Sequence, residues 1–182
     1  SLGKIVAFTG RIMPGEERDG GPKYLNSPET PIFSKSKILY GFHMAKNEIA
    51  KSRAAFLVEG QMDFLMAWQS GVKNAIAVSG TALTTYHLER LRRVADSVVL
   101  SFDNDEAGVK ALERSLEIFG SFDFYVRVAE LGEFKDPADA CRTDVGFLGR
   151  AVLEAKAAFS RLFEVYFSGL AKNDIVGKKR LV

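Results

Sequence analysis

One cysteine, Cys141, stands among the 182 residues of the chain. A disulfide within the chain is therefore excluded, and so is a cysteine-rich zinc site. No apolar run approaches the about 18 residues that a membrane span requires. The N-terminus lacks the pattern of a secretory signal, so a cytoplasmic protein is expected. The two histidines, His43 and His87, sit in helix-like contexts, and neither lies near Cys141 in sequence. No nucleophilic constellation emerges, and Cys141 reads as a small buried hydrophobe. Neither a Walker motif nor a GxGxxG fingerprint is present.

What is there resembles an ordinary globular domain. With 47% hydrophobic and 26% charged residues, the chain can bury a core without help from metal or disulfide. The net charge of +2 conceals a sharper pattern, because residues 1–53 carry +4, residues 54–140 carry −6 and residues 141–182 carry +4. An acidic centre between basic flanks suggests carboxylates that hold cations beside a surface that meets phosphates. A chance distribution over solvated faces accounts for the same numbers.

The first forty residues are rich in turn formers. Lys4–Thr9 is a short apolar run fit for a strand, and Pro14, Gly15, Gly20, Gly21 and Pro22 follow it. After Gly41 the pattern changes. Helices are expected at Phe42–Ser52, at Gln61–Ser70, after a Thr84 cap, at Glu106–Phe119, and as one long element over Asp144–Phe167. In the second of these, Met62, Leu65, Met66 and Gln69 share a side, and Gly71 is suited to end the helix. Strands are expected at Ala54–Val58, Asn74–Val78, Ser97–Phe102 and Phe124–Val128. Short apolar strands alternating with helices predict an α/β fold, a parallel sheet covered on both faces.

Ligands of such sheets gather at the carboxyl ends of the strands. Acidic residues fall there three times: Glu59 after the first strand of this series, Asp103 and Asp105 after the third, and Asp136 after the fourth. Residues i and i+2 of an extended segment project to the same side, so Asp103 and Asp105 can share one hard cation or hold two. A turn with a helix N-cap would explain a lone Asp-x-Asp equally well. Glu59 directly follows four apolar residues, and a carboxylate so placed needs a partner. Three strand ends with acids favour metal, and the residues allow metal-run phosphoryl transfer.

The run Glu59-Gly60-Gln61-Met62-Asp63, the run Ser79-Gly80-Thr81-Ala82-Leu83-Thr84 and the run Phe102-Asp103-Asn104-Asp105-Glu106-Ala107-Gly108 resemble successive motifs of the TOPRIM domain of bacterial DnaG-type primases. The segment Pro22-Lys23-Tyr24-Leu25-Asn26-Ser27-Pro28-Glu29-Thr30, with Phe33-Ser34-Lys35 and Leu39-Tyr40-Gly41, resembles what precedes that domain in primases and is the part specific to them. The likeness runs from about Gly3 to Gly146.

By position, the resemblance implies a Rossmann-like TOPRIM sheet at residues 53–141. A strand- and loop-rich part of the N-terminal core subdomain would occupy residues 1–52, and a helical subdomain would begin at residues 142–182. It implies that Glu59, Asp103 and Asp105 are catalytic and hold Mg²⁺ or Mn²⁺ with Asp136, with no zinc in this stretch. Arg11, Lys23, Asn26 and Lys35 would contact template, primer or nucleotide phosphates, and Gly60, Asp63, Gly80, Thr81 and Gly108 would support the site. The implied reaction is synthesis of RNA primers on single-stranded DNA from ribonucleoside triphosphates, in the bacterial replisome. The replicative helicase would be met through a domain outside this stretch, and the chain reads as a fragment. Three positions depart from the family pattern: Gln61 replaces an aromatic, Asn104 a glycine and Ala138 an aspartate, which leaves the role of Asp139 open. A TOPRIM nuclease or topoisomerase cleavage domain, or a non-catalytic nucleic-acid-binding module, is the alternative.

Overall fold

The computed structural model describes residues 3–13, 15, 24–103 and 106–167, with Glu106 described by its backbone only. Strands β1 (Thr9–Arg11) and β2 (Tyr24–Asn26) form a small antiparallel ribbon. A single 3₁₀ turn, Lys35–Lys37, leads to helix α1 (Phe42–Ser52). The order then runs β3 (Ala54–Val58), α2 (Gln61–Gln69), β4 (Ala75–Ala77), α3 (Thr85–Leu91), β5 (Ser97–Ser101), α4 (Glu106–Phe119) and β6 (Tyr125–Val128). Helices α5 (Pro137–Thr143) and α6 (Phe147–Leu153), strand β7 (Lys156–Ala157) and helix α7 (Ala158–Phe167) complete it.

The main sheet has the order β4-β3-β5-β6-β7, in which the first four strands are parallel and β7 joins the edge antiparallel. Strand alternation divides its side chains between two cores. Ala55, Leu57, Val98 and Leu100 point to a layer with Ile49, Leu88, Leu91 and Leu112, which come from α1, α3 and α4. Phe56, Val58 and Val99 point to the opposite layer with Phe64, Ala67, Cys141 and Leu148, from α2, α5 and α6. Burial on both faces explains why these strands are continuous apolar runs rather than alternating ones. At the entry to α1, Gly41 has φ 78°, and a Cβ there would lie 2.1 Å from the Phe64 ring. That close approach requires glycine.

The α/β expectation holds, with three local corrections. Lys4–Phe8 is not a strand: pairing begins only at Thr9, and Ile5 and Phe8 are 75% and 74% exposed. Helix α2 does not bury the Met62, Leu65, Met66 and Gln69 side. It buries Asp63, Phe64 and Ala67, because the small Ala67 lets the helix lie close on the sheet while Asp63 finds hydrogen-bond donors. The expected long helix over Asp144–Phe167 is broken in two, since Lys156 and Ala157 pair with Val128 and Arg127 of β6. Sheet pairing there overrides helical periodicity. Among the described residues, no helix is long and apolar enough to cross a membrane.

Candidate active site at the carboxyl end of the sheet

Strands β3 and β5 are neighbours in register, Val58 opposite Ser101, so the loops that follow them leave the sheet side by side. Glu59 follows β3 and Asp103 follows β5. The Asp103 backbone N–H donates to Glu59 Oε1 at 3.4 Å. The Glu59 carbonyl in turn accepts from Ser79 N at 3.0 Å and Gly80 N at 3.4 Å, which ties the loop after β4 to the same point. Ser79 has φ 62°, a left-handed backbone uncommon outside glycine, and Gln61 Nε2 donates to its hydroxyl. Thr81 Oγ1 donates to Val78 O at 2.9 Å and closes the turn.

Asp63 is the centre of the second half. It is only 9% exposed, and it accepts from Gly60 N at 3.1 Å and from Ala138 N at 3.2 Å. One carboxylate thereby joins the Glu59-Gly60 turn to the start of α5. Burial, reinforced by the negative charges of Asp136 and Asp103, pushes its pKa up from 3.8 to about 6, against the pull of the two backbone N–H groups. Asp136 caps α5, accepting from Asp139 N at 2.7 Å, with Pro137 in the first turn. Asp139 accepts from Arg142 Nη2 at 3.4 Å. Acids thus follow three of the parallel strands, β3, β5 and β6, at one end of the sheet.

Gly108 of α4 sits against the Asp103 loop. A Cβ on it would fall 1.9 Å from the Asp103 carbonyl oxygen, so any other residue would displace that loop. Asn104 and Asp105 lie outside the described residues, as does Lys23. Among the described residues, no three His, Cys, Asp or Glu side chains meet closely enough to form a complete metal cage. The groups that do approach, Glu59 and the Asp103 loop, offer oxygen donors only, which suits a hard divalent cation. Ser101 Oγ is fully buried at the end of β5 and has no hydrogen-bond partner among the described residues.

A separate cleft of about 880 Å³ receives two more of the expected residues. Asn26 and Lys35 line it together with Gln61 and Ser79, and Ser79 N donates to the Glu59 carbonyl. Arg11 is on exposed β1 with its guanidinium over the Tyr24 ring, 5.5 Å from the centroid. The sequence reading did not anticipate the bridging by Asp63 or the part of His87. His87 is fully buried, its Nδ1 accepts from Thr84 N at 3.2 Å, and its Nε2 therefore carries the proton donated to Lys35 O at 3.2 Å. Its pKa is lowered by burial. The Thr84-to-His87 spacing is the available signal, a capping-box pattern with histidine in place of the usual acid.

Comparison with known proteins adds to this geometry. The family model for Toprim-like domains matches residues 56–141, and that for the N-terminal domain of the DNA primase catalytic core matches residues 1–46. A DNA primase of Halalkalibacterium halodurans is 44% identical over 137 residues, which are 75% of this chain and 22% of that protein. The chain thus spans about a fifth of that relative's length. The crystal structure of a DNA primase domain from Pseudomonas aeruginosa superposes with a TM-score of 0.82 at 35% identity, over 98% of this chain and 56% of that one. A structure of the DnaG primase catalytic domain bound to single-stranded DNA gives 0.81 at 30% identity, over 98% of this chain and 56% of the other.

Proposed function

The chain belongs to the bacterial DnaG-type DNA primases, as a TOPRIM-containing portion of their catalytic core, and from that premise we propose that it carries the nucleotidyl-transfer centre for RNA primer synthesis on single-stranded DNA. The observation that carries this reading is the 3.4 Å approach of the Asp103 backbone to Glu59. It brings the acid-bearing loops after β3 and β5 together where parallel sheets bind ligands.

Membership of the family implies use of a divalent ion, and Mg²⁺ or Mn²⁺ is the choice that suits carboxylate oxygens. Glu59, Asp103, Asp105 and Asp136 are its proposed holders. A divalent ion held there supplies charge stabilisation to the entering and departing oxygens of a phosphoryl displacement. In that reaction the 3′-hydroxyl of the growing strand attacks the α-phosphate of a ribonucleoside triphosphate, and pyrophosphate leaves. Asp63 fixes the Glu59 turn relative to α5, while Gly108 lets the Asp103 loop close down on α4. Arg11, Lys23 and Lys35 would neutralise phosphates, and Asn26 would donate hydrogen bonds to them, without reading bases. Residues 1–52, 53–141 and 142–182 would act as the end of the N-terminal core subdomain, the TOPRIM domain and the start of a helical subdomain. The proposed partners are template, nucleotides, primer and, through a part of the primase outside this chain, the replicative helicase. A bacterial replisome in the cytoplasm is the proposed setting.

The test is template-dependent ribonucleotide incorporation by the primase carrying Asp103→Ala. Loss by at least about a hundredfold is expected, the size of effect seen when one charge-stabilising group is removed from an active site. Undiminished incorporation would reject the assignment.

A further inference from the structure

Helix α3 and the 3₁₀ turn at Lys35–Lys37 form a second feature on the rim of the 880 Å³ cleft. Two side chains lock them together. Thr84 Oγ1 donates to Ser36 O at 2.6 Å, and His87 donates to Lys35 O at 3.2 Å. This fixed junction carries two cation–aromatic pairs. Lys37 Nζ stands 4.9 Å from the centre of the Tyr86 ring, and the Arg90 guanidinium stands 5.0 Å from that of Phe42.

Among the described residues, no ion pair engages Lys35, Lys37 or Arg90, and all three line the cleft. Glu29 is the nearby acid, and its carboxylate accepts from the Lys35 backbone N–H at 2.8 Å rather than bridging to an ammonium. Tyr86 is 52% exposed although Lys37 covers part of its ring. Cations outside close ion pairs, interleaved with an exposed aromatic, are the elements of a single-strand nucleic-acid track: cations follow phosphates, and the ring offers a face to an unstacked base. Duplex bases are already stacked on each other and would leave the ring unused.

We propose that Lys37, Tyr86 and Arg90 form a subsite for single-stranded DNA, with Tyr86 as the stacking platform, and that His87 and Thr84 are positioning residues that hold it in register with Lys35. The proposal rests on the nucleic-acid reading of the Lys35 side of the cleft and extends it onto α3. Lys37 and Arg90, which flank Tyr86 in this subsite, line the same cleft as Ser79, whose backbone N–H donates to the Glu59 carbonyl at 3.0 Å.

The experiment is fluorescence anisotropy of a labelled oligothymidine titrated with this chain over a series of salt concentrations. Wild type is compared with Tyr86→Ala, Tyr86→Phe, Lys37→Ala and Lys35→Ala, and circular dichroism verifies each fold. Tyr86→Ala is expected to weaken binding by about five- to a hundredfold, the range of one base–aromatic stack, while Tyr86→Phe binds as wild type does. Lys37→Ala should lower the slope of log affinity against log salt by about 0.7. Equal weakening by Tyr86→Ala and Tyr86→Phe overturns stacking. Wild-type binding by Tyr86→Ala, with Lys35→Ala impaired, overturns this subsite but leaves the Lys35 reading standing. Absence of binding by the wild type overturns both.

Discussion

The parallel sheet and the N-terminal segment solve opposite problems. In β3, Ala55, Phe56, Leu57 and Val58 are all fully buried, whereas Ile5, Phe8 and Ile32 in the first forty residues remain largely exposed. Burial of about 25 cal/mol per Å² of apolar surface accrues to the first region and scarcely to the second. The sheet therefore stabilises itself. The N-terminal segment is tied to that sheet only near its end: Leu39 enters the core, Tyr40 pairs with Ala77 and packs on Phe64, and the Thr84 and His87 side chains hold Ser36 and Lys35. Acidic residues sit on the self-sufficient region and basic ones on the tethered region, which separates the part that would hold cations from the part that would meet phosphates.

Truncation breaks this contrast most sharply. Phe56→Ala should cost about 3–5 kcal/mol in denaturant unfolding, while Ile5→Ala should stay within about 0.5 kcal/mol. Similar costs at the two positions would erase the distinction. A second test uses pH, with divalent ions chelated. Asp63 protonates more readily in the folded protein, at about 6, than in an unfolded chain, at 3.8. Its favourable contribution is thus whole below 3.8 and is lost as pH rises through about 6. Over that window wild type should lose about 3 kcal/mol of stability relative to Asp63→Asn, the equivalent of a pKa gap of this size. A flat difference would mean that Asp63 is not buried among like charges. The smallest effect is the sharpest for the tether. Thr84→Ala removes both an N-cap and the tie to Ser36, at about 1 kcal/mol, and hydrogen exchange should quicken at Lys35–Ile38 while the β3 amides are unchanged.

The same contrast governs what could be read from the sequence. Helix α1 at Phe42–Ser52, strand β3 at Ala54–Val58 and helix α4 at Glu106–Phe119 fall where the hydrophobic pattern predicts them, because local preference and the final environment agree. Lys4–Thr9 misled for the opposite reason: an apolar run looks like a strand, but pairing depends on a neighbour that the run itself does not encode. Likewise, Lys156 and Ala157 leave the helical pattern only because the edge of β6 is available to them. At the candidate site, Glu59 and Asp103 were legible from position after apolar strands. The inward turn of Asp63 was not, since its donors, Gly60 N and Ala138 N, are backbone groups far apart in the chain.

Mn²⁺ titration followed by electron paramagnetic resonance, on the wild-type chain and on Glu59→Gln, addresses the convergence of acids most directly. The wild type should take up Mn²⁺ specifically, and Glu59→Gln should bind it more weakly by more than the about ten- to hundredfold that changes outside a ligand shell produce. Equal Mn²⁺ affinity in the two proteins would contradict the shared acidic site.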